Sequence, residues 1–230
     1  MLFTVVGLAV AAEEPVTPTD QIVDQYCAAS RRQEQILQSA TMDVDMAASL
    51  PRLKKQGRLH ALRHITRLGR ITYEALRFEG DNTVKSQVIA RYLTAEAEAQ
   101  KNQAPAMAVT PANYKFKYKG LAQLNGRSAH LFQVTPRRKR TGLFKGEVWI
   151  DASTFLRVQE SGYLVKSPSI FLKRVVFLRT YEIRDGLSLP RQVQSTVETR
   201  LVGKAELTID FSNYSIDGQK VTASGEDENQ

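Results

Sequence analysis

The chain of 230 residues is 42% hydrophobic, 24% charged and 8% aromatic, with 13 Gly and 8 Pro, a globular composition that excludes collagen-like and globally disordered chains. A mean hydropathy of -0.32 excludes a multi-span membrane protein. The net charge of +8 admits an anionic partner such as nucleic acid or a phospholipid surface, and the single Cys excludes an internal disulfide framework or a cysteine-rich zinc site.

Residues 1–12, MLFTVVGLAVAA, are uncharged and apolar. A spanning helix takes roughly 20 apolar residues, so this run is too short for one. Ala9, Ala11 and Ala12 ahead of Glu13 fit the cleavage site of a secretory signal. No Lys or Arg precedes the run, so a buried strand or helix is the alternative. The signal reading implies an exported protein. Cys27 does not suit lipid attachment, because Gln25 and Tyr26 replace the small and apolar residues such a site needs. It reads as a small buried hydrophobe on a helix.

Thr17-Pro18-Thr19-Asp20 opens that helix, with a capping hydroxyl, a first-turn proline and an acid near the amide end. Ile22, Val23, Tyr26, Cys27, Ile36 and Leu37 follow near helical spacing, and the helix ends around Gln38. Met42, Val44 and Met46 alternate with Asp43 and Asp45 as a half-buried strand. A turn is expected at Lys54–Gly57, then strands from Leu59 to Phe78 with a break near Gly69. Gly80-Asp81-Asn82 starts a second amphipathic helix through Val84, Val88, Ile89, Tyr92 and Leu93 to Ala99, and Lys101 to Pro111 is a linker. From Tyr114 the period is two. Tyr114, Phe116 and Tyr118 oppose Lys115, Lys117 and Lys119. Hairpin signals stand at Asn125-Gly126, Ala152-Ser153-Thr154, Asp185-Gly186 and Gly203-Lys204. Residues 217–230 read as a disordered polar tail.

These elements add up to an α+β fold: a curled, open antiparallel sheet, or incomplete barrel, with helices covering its concave apolar face. Strand parity places Phe116, Tyr118, Phe132, Val134, Val148, Ile150, Val193, Val197, Ile209 and Phe211 on that face. Each of them either packs in an ordinary core or lines a ligand cavity.

The stretch Tyr118 to Arg137, a strand, a Gly126-Arg127 hairpin and a returning strand with a basic end, resembles the outer-membrane lipoprotein-sorting (LolA-like) superfamily and its RseB-type relatives. Gly146 to Val158 resembles the strand, Asp, turn, Thr, strand hairpin of the same superfamily. The resemblance implies a single domain over 17–216 whose apolar cavity, lined by the ten residues above, receives acyl chains of lipoproteins or lipids in the periplasm. It implies an inner-membrane donor and an outer-membrane acceptor protein, and no cofactor. The alternative it carries is an RseB-like envelope sensor that binds lipidated ligands and a membrane partner.

Arg137, Arg138, Lys139 and Arg140 form either a solvated hairpin tip or a contact with an anionic membrane surface, where each basic side chain contributes about 1 kcal/mol. The lysines around Lys117 face away from the neighbouring aromatics, so bases could not stack beside them, and no nucleic acid is expected. His60 and His64 lack the glutamate of the metalloprotease helix, Ala61 standing in its place, and no third ligand accompanies them. His130 has no nucleophile beside it, and Asp43 and Asp45 read as a solvated face. Neither a catalytic residue nor a metal site is expected.

Overall fold

The computed structural model describes residues 18–67, 70–101, 107–167, 172–200 and 203–221. The signal-like run at 1–12 and the tail beyond 221 lie outside them. Helix α1 (Pro18–Ile36) carries Asp20 in its first turn and buries Val23, Tyr26 and Cys27, a spacing of three and four that defines one face.

Strand β1 (Ala40–Leu50) buries Ala40, Met42, Val44, Met46, Ala48 and Leu50 in strict alternation. A 3₁₀ turn at Pro51–Leu53 leads into β2 (Lys55–Ile65). The turn therefore precedes the one expected at Lys54–Gly57. Proline fixes φ where the turn begins, and Lys54 ends it in the left-handed region. Lys55, Gln56 and Gly57 are thereby free to pair with Leu50, Ser49 and Ala48. Strand β3 (Ile71–Gly80) completes this meander.

Asp81 caps the next helical segment by accepting from the Thr83 amide at 2.7 Å. The segment comprises α2 (Asn82–Val84), a π turn at Lys85–Ile89 and α3 (Ala90–Lys101). Seven strands follow: β4 (Tyr114–Leu124), β5 (Arg127–Pro136), β6 (Phe144–Asp151), β7 (Arg157–Leu164), β8 (Leu172–Arg184), β9 (Leu187–Thr199) and β10 (Lys204–Ile216). The β4–β5 turn has Asn125 and Gly126 at φ of 51° and 79°, as a two-residue hairpin requires. At the β6–β7 turn, Asp151 accepts from the amides and hydroxyls of Ser153 and Thr154. The short strand β11 (Gln219–Lys220) pairs with the end of β10, so the sheet takes up the first residues of the segment expected as the tail.

All eleven strands form one antiparallel sheet in the order β3-β2-β1-β10-β9-β8-β7-β6-β5-β4, with β11 beside β10. The sheet is open: β3 and β4 are its edges and do not meet. It is the curled half-barrel that the alternating patterns imply. Both helices cover one face. The second helical segment places Val84, Val88 and Ile89 among buried residues of β1, β2, β9 and β10. Helix α1 places Val23, Tyr26 and Cys27 among Tyr114, Phe132, Val134, Val148, Ile150 and Phe177 of β4, β5, β6 and β8.

Gly146 and Gly162 are cross-strand partners between β6 and β7. A Cβ on Gly146 would collide with the Ser161 carbonyl, which is backbone and cannot swing aside. Gly146→Ala is expected to destabilise the fold by about 1–3 kcal/mol, read as a lower urea midpoint.

Candidate functional site

Cross-strand register threads a single row of side chains over the helix-covered face. From β4 to β3 it runs Tyr118, Phe132, Val148, Glu160, Arg179, Val193, Ile209, Met46, Leu59 and Phe78, each residue the direct partner of the next. Directly paired residues point to the same side, so the row marks the inner face. It is apolar except at Glu160 and Arg179, near its middle.

The residues expected on this face lie there. Phe132, Val134, Val148, Ile150 and Ile209 are fully buried. Phe116 and Tyr118 are half-buried against the α1 side. Val193, Val197 and Phe211 are half-buried on the side of the second helix. The ten are thus divided between two apolar clusters, with a polar centre between them that strand parity did not flag.

At that centre Glu160 has no exposed surface. Its Oε1 accepts from Arg157 at 2.5 Å, and its Oε2 accepts from Tyr181 Oη at 3.1 Å and from Arg179 at 3.4 Å. The Arg157 guanidinium lies 4.5 Å from the Tyr181 ring centroid, and that of Arg179 lies 4.6 Å from the Phe177 ring centroid. Burial opposes ionisation of Glu160, yet the two guanidinium charges and the hydrogen bonds hold its carboxyl below the usual range. Burial pushes Tyr181 up to about 12, so it stays a neutral donor at neutral pH.

Each helix is fastened beside this centre by polar contacts. Gln33 of α1 donates to the Ser188 carbonyl at 3.0 Å and accepts from the Ser188 amide at 2.7 Å, in the manner of a strand partner. Tyr26, about two turns earlier on the same helix, sits near the Arg157 and Glu160 charges; burial raises its pKa well above the usual tyrosine value. On α3, Glu96 accepts from Arg63 of β2 at 3.2 Å and from the hydroxyl of Tyr73. Arg63 lies 5.8 Å from the Phe211 ring centroid. Both helices therefore meet the sheet through apolar faces closed by a few polar bonds.

Residues 137–140 are exposed at the β5–β6 connection, and Arg137 Nε donates to the Pro111 carbonyl at 2.7 Å. They form a separate basic tip. On the outer face a groove of about 500 Å³ is lined by Ser49, Gln56, Arg58, Glu79, Glu206 and Thr208 among others. Arg58, Glu79 and Glu206 set charged groups among its small apolar residues. His60 pairs with Asp45 at 2.9 Å and His64 with Glu74 at 3.4 Å, both across neighbouring strands. His130 lies between Tyr118 Oη, at 3.0 Å, and the Phe155 ring, and burial lowers its pKa. No group of three or more potential metal ligands occurs among the described residues. No described helix is long and apolar enough to cross a membrane.

Replacing Glu160 with Gln would leave the partly exposed guanidinium groups of Arg157 and Arg179 without their anion. The variant is expected to lose about 1–3 kcal/mol of stability at neutral pH. The folded carboxyl titrates below the unfolded one, so the stabilisation is complete above the unfolded value of about 4.3 and fades as pH falls through the folded one. The gap between wild type and variant should accordingly narrow in acid, measured by urea unfolding across that range.

No protein-family model matches the sequence, and no curated protein matches it. Solved structures that the fold resembles include a DUF1329 family protein from Desulfovibrio piger, 15% identical over 85% of this chain and 93% of that one, with a TM-score of 0.43. A putative outer membrane lipoprotein-sorting protein domain from Vibrio parahaemolyticus is 11% identical over 85% of this chain and 92% of that one, with a TM-score of 0.44. The MucA/MucB complex of Pseudomonas aeruginosa contributes a chain 12% identical over 88% of this one and 99% of its own length, with a TM-score of 0.28.

Proposed function

We propose that the protein is an exported carrier of the periplasm, a single domain that takes acyl chains of lipoproteins or lipids between its sheet and its two helices and passes them to a partner. The observation that carries this reading is the construction of the inner face. One continuous surface built from all ten long strands is covered by two helical segments that come from elsewhere in the chain, and polar latches hold them. Each methylene moved from water to such a surface contributes about 0.8 kcal/mol, so a long acyl chain needs no catalytic group to be held. Binding then requires a helix to swing away, because Phe132, Val148 and Ile209 leave no exposed surface in the closed form.

The purified protein should bind a fluorescent fatty acid such as cis-parinaric acid saturably, near one equivalent per chain. Fluorescence no higher than with an unrelated control protein would refute the carrier. Saturable capture of a membrane-anchored envelope protein without any acyl uptake would favour the sensor module instead.

Gln33→Ala removes both hydrogen bonds to Ser188 at a stability cost of about 1–3 kcal/mol. Because those bonds hold α1 against the sheet, the variant should take up the probe faster than wild type in stopped-flow mixing. An unchanged rate would show that α1 is not the moving lid.

A further inference from the structure

The charges at the centre of the inner row do not cancel. Arg157 and Arg179 bring two positive charges, and Glu160 answers one of them. Glu160 is fully occupied, with partners on both oxygens. Arg157 Nε is buried and has no hydrogen-bond partner. The only hydrogen bond of Arg179 among the described residues is the long one to Glu160, so most of its donors are unspent. Arg179 keeps 43% of its side chain open to solvent, so an anion can reach its unspent donors.

We propose that Arg179, seconded by Arg157, receives the oxyanion head of a lipid, a carboxylate or a phosphate carried on an acyl chain, while the chain lies along the apolar remainder of the row. This rests on the carrier reading and names the cargo class: an anionic amphiphile, where a neutral acyl group would leave the excess charge unanswered. A guanidinium matches a carboxylate or phosphate in a planar two-bond geometry, and such charge-assisted bonds are stronger than neutral ones. The row supplies the neighbouring apolar surface, with Val148 on one side of the charged pair and Val193 and Ile209 on the other.

The test compares cis-parinaric acid with the alcohol of the same chain, at a pH well above the carboxylate range. Wild type should prefer the acid by about tenfold or more, as a charge-assisted hydrogen bond provides. Arg179→Gln should bring the two probes to near-equal affinity by weakening the acid and sparing the alcohol, and Arg179→Lys should retain part of the preference. Oleate and lysophosphatidic acid should each displace the probe, and their relative strength separates carboxylate from phosphate cargo. Inorganic phosphate in large excess should not displace it; if it does, the site serves a free anion and the proposal is overturned. Equal binding of acid and alcohol by wild type, or a preference surviving in Arg179→Gln, overturns the head-group site and leaves the carrier standing. Binding of neither probe overturns both. Thermal unfolding of each variant confirms the fold, and the wild-type comparison remains decisive should Arg179→Gln not fold.

Discussion

Strand β1 lies against β10, joining residues about as far apart in sequence as the chain permits. Val44 pairs with Phe211 and Met46 with Ile209, and Asn213 donates to Asp43 across 170 positions. Without this ladder the N-terminal meander β1–β3 and the C-terminal meander β4–β10 would be two separate small sheets, each with an apolar face open to water. With it they form a single surface with one inner side. The entropy of closing so long a loop grows only slowly with its length, so the ladder and the burial it permits can outweigh that cost. The remaining pairings among consecutive strands are local hairpins, apart from the helix-bridged step from β3 to β4, which makes no pairing at all.

The same ladder decides where the helices go. Helix α1 precedes β1 in the chain but packs over β4, β5, β6 and β8; the second helical segment follows β3 and packs over β1, β2, β9 and β10. Each covers about half of the inner face, and the line between the halves passes close to Glu160, Arg157 and Arg179. A polar centre at such a line is consistent with surfaces meant to separate, since buried ion pairs add less to stability than apolar packing of the same volume. Gln33 with Ser188, and Glu96 with Arg63, fix the position of each helix by direction as well as by burial.

Much of this was legible in the sequence. The alternation of Met42, Val44 and Met46, the Asn125-Gly126 turn and the Asp81 entrance each state a local preference, and local preferences need no distant partner to be read. The inner-face positions from Phe116 to Phe211 followed from parity alone, because side chains alternate strictly along a strand. The start of β2 did not follow: the turn residues Lys54–Gly57 look alike in sequence, and only the pairing of Leu50 with Lys55 shows that the chain has already reversed.

The sequence by itself therefore determined the strands, the two amphipathic helices and the side on which their apolar residues lie, since periodicity is a property of neighbours. Tertiary structure alone decided the order in which the two meanders join, which helix covers which half, and that Glu160 and Arg179 face inward together. In sequence those two are charged residues in separate strands, each as acceptable on an outer face. They become an ion pair only when β7 meets β8 in one register, and their surplus of positive charge becomes visible only when Arg157 is found beside them. Charge balance in a low-dielectric interior is a relation between distant residues, and composition averages it away.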